Sequence, residues 1–178
     1  MTTLSAQLVY ELKALINGIP KENLGAVENS TFKAITMRRK LSQMFSEKNK
    51  AYEEKIEQIA AEIRKSQDEL RAFESEIDSL PEAEQKAEAK AKESLEYKKD
   101  VDAKLVEALK KIGEVTFYQK RQGEPVLARL VDETPVELDL SESQKTFLQD
   151  KVERYGAEKL VSDDDVFLVG EALGMQTE

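Results

Sequence analysis

The residue types that most often perform catalysis are missing from this chain of 178 residues. It contains no histidine and no cysteine, so it lacks the commonest general base, the commonest metal ligand and every thiol nucleophile. What remains for chemistry is a large set of carboxylates, 36 Asp and Glu against 27 Lys and Arg. Paired carboxylates can catalyse hydrolysis, but they need a cleft that binds the substrate. The chain has only 7 glycines and no glycine-rich phosphate loop, so the sequence indicates no such cleft. We therefore expect a protein that is not an enzyme and holds no cofactor.

The densest acidic run is Asp163-Asp164-Asp165. Calcium loops space their oxygen ligands at alternate positions around a glycine turn, and this run lacks that spacing. Three acids directly after Ser162 fit the first turn of a helix, where the helix dipole favours negative charge. We interpret the run as a helix start, and we expect no metal site.

Arg38-Arg39-Lys40, with Lys33 close by, is the one basic triplet. Residues 1–50 have 8 basic and 4 acidic side chains, a net charge of +4, whereas residues 114–178 have 7 and 15, a net charge of −8. No aromatic residues interleave the triplet to stack on bases. We expect it to contact protein, either within the chain or in another subunit, rather than nucleic acid.

Apolar residues repeated every 3.5 positions predict two long helices that pack as an antiparallel coiled-coil hairpin with its turn near Pro81. We expect the first helix to run from about residue 30 to 80. Ser66 and Lys98 are expected to face each other, and Leu95, Tyr97 and Leu109 to lie off the seam. The seam positions are Tyr52, Ile56, Ile59, Ile63, Ser66, Leu70, Phe73, Ile77 and Leu80, followed by Ala87, Ala91, Ser94, Lys98, Val101, Leu105, Ala108 and Ile112.

The predicted fold class is all-α with at most a minor β element. Residues 1–45 and the acidic residues 114–178 form a mainly helical base, and residues 46–113 form the protruding hairpin. Smaller expectations concern individual segments. Up to Val131 they are a first helix over 4–17 capped by Thr2 or Thr3, a strand or a frayed helix end over 115–118, and a short helix from Pro125 to Val131. Beyond Val131 they are a short half-buried strand or extended segment over 136–140, and helices that start at Ser141 and Ser162, the former closed by Gly156.

Three stretches together resemble a family of small, acidic, uncharacterised proteins of tailed bacteriophages. They are the N-terminal residues Gln7–Leu15 with Asn29–Lys48, the segment Leu130–Leu140, and Phe147–Glu171 with its acidic helix cap. The resemblance covers both ends, about half of the chain, and the heptad hairpin departs from it as an insertion or extension. It implies a phage origin and no established catalytic residues.

The predicted function is that of a non-enzymatic, phage-type interaction factor, which binds a virion or host protein through coiled-coil and acidic surfaces and forms a homo-oligomer. The alternative is a regulator of transcription or nucleic-acid machinery, acting through the basic triplet or through an acidic hairpin tip that resembles that of Gre-type transcription factors. No apolar run spans a membrane and no signal peptide is seen, so we expect a cytoplasmic or virion-associated protein. The candidate interaction residues are Arg38, Arg39, Lys40, Asp78, Glu82, Glu84, Leu95 and Tyr97.

Overall fold

The computed structural model describes residues 1–18, 31–81, 88–118 and 127–176, with only the backbone described at 88–91 and 127. These residues divide into two compact units. Unit 1 contains Met1–Glu53 and Asp132–Glu178, and unit 2 contains Glu54–Tyr118 and Leu127–Val131. Helices account for 74% of the described residues, which confirms the mainly helical fold with a minor β part.

The described residues form six helices and four strands. In chain order they are β1 (Thr2–Ser5), α1 (Ala6–Asn17), α2 (Phe32–Lys48), α3 (Lys50–Asp78), α4 (Glu88–Ile112), β2 (Glu114–Tyr118), β3 (Leu127–Val131), β4 (Pro135–Leu138), α5 (Glu142–Lys159) and α6 (Asp163–Ala172).

The core of unit 1 forms around α1, which contacts α2, α5, β1 and β4. Strands β1 and β4 pair antiparallel, with Thr2 opposite Leu138 and Leu4 opposite Val136. These four side chains are buried and the residues between them are not, as the two-residue period of a strand requires. The short strand or extended segment predicted over 136–140 is therefore a strand, which begins at Pro135 and ends at Leu138. The apolar core comprises Leu8, Val9, Leu12, Leu15, Ile16, Leu41, Phe45, Leu148, Val152, Val169 and Leu173.

Side-chain caps set the helix starts of unit 1. The expectation that Thr2 or Thr3 caps α1 is wrong, because both lie in β1 and Ser5 accepts the hydrogen bond from the Leu8 amide. Ser141 opens α5 with a capping box, as predicted. Gly156 does not end α5: it is buried inside the helix, where an added Cβ would lie 3.3 Å from Cγ1 of Val166. That glycine lets α5 and α6 approach closely.

The first turn of α1 holds the segment before β4 in place. The Ala6 amide donates to the Thr134 carbonyl at 2.9 Å. The buried Gln7 side chain accepts from the Asp132 amide at 3.1 Å and donates to Oε1 of Glu133 at 3.2 Å. A helix start leaves its first amides without intrahelical partners, and here the distant segment supplies an acceptor. The β1–α1 junction is thus tied to residues more than 120 positions away.

The single helix predicted from about residue 30 to 80 is interrupted at Asn49. The Asn49 amide donates to Phe45 at the end of α2, and its carbonyl accepts from Tyr52 and Glu53 at the start of α3. Its side-chain amide, which is buried, donates to the Ala6 carbonyl at 2.7 Å. Asn competes well for backbone groups outside helical geometry, so it fits a break that also contacts α1.

Lys13 connects α1 to both sides of this break. Its Nζ donates to Oγ of Ser46 at 2.6 Å and to Oε1 of Glu53 at 2.7 Å. The Lys13 and Glu53 side chains are only about a quarter exposed, at 25% and 24%, so solvent screens the pair less than a surface ion pair. Lys13 therefore couples the end of α2 to the start of α3.

In unit 2, every seam position of α3 from Ile56 to Ile77 is buried or half-buried, and Ile59 and Ser66 are the buried ones. On α4, two expectations are wrong. Leu109 is buried at 2% exposure, and Tyr97 is half-buried because its ring stacks on Phe73 with centroids 4.0 Å apart.

Lys98 does not occupy the seam opposite Ser66 as predicted. It is exposed, and its Nζ lies 3.4 Å from Oε1 of Glu74. A second ion pair joins Lys104 of α4 to Glu69 of α3 at 3.7 Å. Ala87 and Ala91, predicted for the same seam, lie outside the described side chains.

Strands β2 and β3 form an antiparallel pair in unit 2, with Val115 opposite Leu130. The β-type residues at 115–118 thus form a strand, and the helix predicted from Pro125 to Val131 is wrong at 127–131. Leu130 is buried at 1% exposure, and a Cβ at Gly113 would lie 2.7 Å from its Cδ1. The units also differ from the expected boundaries, because residues 46–53 join unit 1 and this strand pair joins unit 2.

Removal of the buried side-chain amide of Asn49 should destabilise the protein more than removal of an exposed side-chain amide. We expect Asn49→Ala to lower the free energy of unfolding by about 1–3 kcal/mol, because a buried hydrogen bond to the Ala6 carbonyl is lost. Urea denaturation measures the change. Asn17→Ala, which removes exposed hydrogen bonds to Lys13 and Ser42, is the matched control and should cost less. Equal losses in the two variants would contradict the role assigned to Asn49.

The stability of the folded chain should also respond to ionisation of Tyr97. Burial raises the pKa of Tyr97, and the Glu69 carboxylate, which accepts its hydroxyl hydrogen bond at 3.4 Å, raises that pKa further. The folded state thus retains the proton longer than the unfolded state. Its stabilising contribution is complete below the ordinary tyrosine pKa of about 10 and is lost as pH rises through the folded-state pKa.

We expect Glu69→Gln to lower the pKa of Tyr97 toward the ordinary value, as read from tyrosinate absorbance after subtraction of a Tyr97→Phe spectrum. Glu107→Gln, an exposed change on α4, is the control and should leave that pKa unaltered. An unchanged pKa in Glu69→Gln would show that Glu69 does not contribute.

Candidate interaction surface

The exposed side of α6 carries two large apolar side chains among carboxylates. Phe167 is 54% exposed and Leu168 is 48% exposed. At 3.6 residues per turn, they share an arc of about 140° with three exposed acids. We call this set the acidic–apolar face; its members are Asp163, Asp164, Phe167, Leu168 and Glu171.

The opposite side of α6 fixes the helix on the core of unit 1. Val169 and Leu173 are buried, and the Gln149 side chain donates to the Leu173 carbonyl at 2.7 Å. Asp165 is buried at 5% exposure. Its carboxylate accepts from the Ser162 amide at 3.1 Å and its own amide donates to Oγ of Ser162 at 3.2 Å, which together form a capping box. The helix start predicted for the acidic run is therefore confirmed: Asp165 serves the cap, while the other two acids face solvent.

A groove of about 450 Å³ lies at the C-terminal end of α6. Gly174 has φ +78°, a conformation that favours glycine, and it turns the chain so that the Met175 amide donates to the Gly170 carbonyl at 2.9 Å. This turn places Met175 beside Gly170, where an added Cβ would lie 3.5 Å from the Met175 sulfur. The groove is lined by Val166, Phe167, Gly170, Glu171, Met175 and Gln176.

The groove suits an apolar side chain that has a cation beside it. Its walls include a phenylalanine and a methionine, and thioether and aromatic groups adapt well to a bound apolar group. Glu171 is both a lining residue and a member of the acidic–apolar face, so one carboxylate borders the groove.

The exposed side of α2 carries basic side chains, opposite in charge to the acidic–apolar face. Phe32 is 86% exposed, and Lys33, Arg39 and Lys40 are exposed as well. On a helix these four residues fall within an arc of about 120°. We call them the basic stripe. Arg38, the remaining member of the predicted triplet, is half-buried on another side of the helix.

The other residues predicted from the sequence do not form one site. Asp78 is exposed at the end of α3, and Leu95 of α4 is 56% exposed. Tyr97 is stacked on Phe73 and is a packing residue rather than an exposed contact. Glu82 and Glu84 of the expected tip lie outside the described residues.

The sequence predictions do not include the acidic–apolar face, because α6 is too short for a heptad repeat and its acidic run is explained by the helix start. A usable signal was present, since Val166-Phe167-Leu168-Val169 places four consecutive apolar residues in a helix of 10 residues. Four consecutive positions sweep most of the helix circumference, so they cannot all face one core.

A second groove, of about 610 Å³, lies between α3 and α4 in unit 2. Its charged lining alternates in sign, with Lys65, Lys104 and Lys111 beside Glu62 and Glu107. Such alternation is typical of solvated helix faces, and a lining of mixed sign favours neither an anionic nor a cationic ligand.

The side chains of the described ranges include no group of three or more acids that could together hold a metal ion. Among the helices described, none has both the length and the apolar character needed to cross a membrane.

Comparison of the chain with protein-family models, with curated proteins and with solved structures finds no match in any of the three.

Proposed function

We propose that this chain is a non-enzymatic interaction protein whose acidic–apolar face binds a basic, apolar segment of another protein. The observation that carries this proposal is the exposure of Phe167 and Leu168 side by side, next to a groove and among three carboxylates. Single exposed apolar residues are common on protein surfaces, but a pair beside an apolar groove is typical of a contact site.

The composition of the face indicates the chemistry of the partner. Burial of a Phe or Leu side chain contributes about 1.5–3 kcal/mol, so the pair can anchor a segment that supplies apolar surface in return. Asp163, Asp164 and Glu171 would repel an acidic partner and steer a basic one toward the face. A segment with an aromatic or aliphatic residue next to Lys or Arg meets both requirements.

We also propose that α3 and α4 form an antiparallel coiled-coil hairpin with its turn near Pro81. The support is the apolar repeat of the sequence together with the shielded seam positions of α3. The Lys104–Glu69 pair and the Phe73–Tyr97 stack join the two helices in opposite order, because the contact on α4 moves back from 104 to 97 as the contact on α3 moves forward from 69 to 73, as antiparallel packing requires. Exposed Leu95 then offers a second contact point on this hairpin.

The resemblance of both ends of the chain to tailed-bacteriophage proteins supports a phage origin. On that origin the partner is a virion protein or a host protein, and the interaction takes place in the host cytoplasm or on the virion.

A second candidate function, regulation of nucleic-acid machinery, is favoured by the exposed cations of the basic stripe alone. Direct DNA binding through these cations would weaken steeply with salt and would fall on neutralisation of Arg39 and Lys40. The protein as a whole carries a net charge of −9, which opposes such binding.

A displayed library of random peptides, selected on the immobilised full chain, tests the leading proposal. We expect enriched peptides to combine Lys or Arg with a large apolar residue. Phe167→Ala should raise the Kd of such a peptide at least about tenfold, because a buried aromatic anchor is lost. Glu171→Lys should also weaken binding and reduce its dependence on salt. Fluorescence anisotropy with a labelled peptide measures both effects.

Phe117→Ala, which truncates an equally exposed aromatic side chain in unit 2, is the matched control and should leave the Kd unchanged. Enrichment of acidic peptides, or equal binding to wild type and Phe167→Ala, would contradict the proposed site.

A further inference from the structure

We infer that the acidic–apolar face of one copy binds the basic stripe of a second copy of this chain. The inference rests on the proposed function, because it uses the same face of α6, and it names the partner. The two surfaces match in composition, since the stripe has three cations and Phe32, whereas the face has three carboxylates, Phe167 and Leu168.

Both surfaces are exposed within a single chain. Among the described residues, Phe32 is the most exposed of the large apolar side chains at 86%, and Phe167 is 54% exposed. The stripe and the face therefore do not cover each other in the same molecule. A second copy can supply each with the complementary surface.

The spacing of the charges also agrees. Lys33 and Lys40 are seven residues apart on α2, and Asp164 and Glu171 are seven residues apart on α6. Seven residues are about two helical turns, or about 10.5 Å along each axis. Two helices packed antiparallel can therefore pair Lys33 with Glu171 and Lys40 with Asp164 simultaneously.

This antiparallel register places Phe32 at the groove. Phe32 immediately precedes Lys33, and Glu171, the proposed partner of Lys33, lines the groove together with Met175. The aromatic ring of one copy thus enters the apolar site of the other, and the flanking ion pairs fix its position. An anchor residue in a pocket surrounded by polar contacts is a common arrangement in protein interfaces.

Each copy carries both surfaces, so the contact can occur twice around a two-fold axis or repeat from copy to copy. Both arrangements raise the mass of the assembly above that of one chain. Charge pairs at the rim of the contact make the association sensitive to salt.

Reversal of the charges on the basic stripe or on the acidic–apolar face tests the inference. We expect the full-length wild-type chain to associate at tens of micromolar in low salt, as measured by sedimentation equilibrium. Lys33→Glu/Lys40→Glu and Asp164→Lys/Glu171→Lys should each weaken association at least about tenfold, a loss of about 1.4 kcal/mol. An equimolar mixture of the two variants should regain it, because every opposed pair in the mixed contact is again of opposite charge. Regain also demonstrates that both variants are folded.

Two controls carry the same changes of charge at other exposed positions. Lys110→Glu/Lys111→Glu and Glu153→Lys/Glu158→Lys should associate like the wild type.

A monomeric wild type, unaltered association of the two test variants, or a mixture that fails to associate would overturn the inference. If the wild type is monomeric but peptides still bind it in a Phe167-dependent manner, the partner is a different protein and the proposed function stands. If peptide binding is also absent, both proposals are overturned.

Discussion

The architecture of unit 1 depends on a few hydrogen bonds at the first turn of α1. There the Ala6 amide and the Gln7 side chain hold residues 132–134, and the Ala6 carbonyl accepts from Asn49. A helix start provides unsatisfied amides, and a buried polar group without a partner is costly, so these bonds constrain all three segments together. The pairing of β1 with β4 and the break between α2 and α3 both follow from this junction, because each adjoins one of the bonded residues.

The groove beside α6 depends on the same principle at the other end of a helix. The terminal carbonyls of α6 are satisfied by a turn through Gly174, and that turn positions Met175 as a wall of the groove. The acidic residues before the groove are equally a product of helix physics, since Asp165 completes the cap and leaves its two neighbours exposed. The features proposed for recognition thus arise from ordinary capping of one short helix of 10 residues.

Long periodic patterns and caps could be predicted from the sequence, whereas tertiary contacts could not. The capping residues Ser141 and Ser162 are local signals, and both predicted caps are confirmed. The apolar repeat of α3 is also a local signal, and its positions from Ile56 to Ile77 are buried or half-buried. The break at Asn49 was missed because its cause is a hydrogen bond to a residue 43 positions away. The pairing of residues 127–131 with β2 is not encoded in their own spacing, so the sequence does not predict a strand there. Of the candidate site, the basic residues could be predicted but the face on α6 could not, because an apolar run in a helix of 10 residues has no heptad period.

The discontinuity of unit 1 has a consequence for biosynthesis. Thr2 pairs with Leu138, so β1 has no partner strand until β4 has been translated. Unit 2 is complete once Val131 has emerged, and its residues can therefore collapse while α5 and α6 are still unmade. Contacts over such sequence separations slow folding, because the intervening chain must be ordered or looped first. Until α5 has emerged, the apolar side of α1 lacks its α5 covering, and exposed apolar surface favours aggregation during that interval.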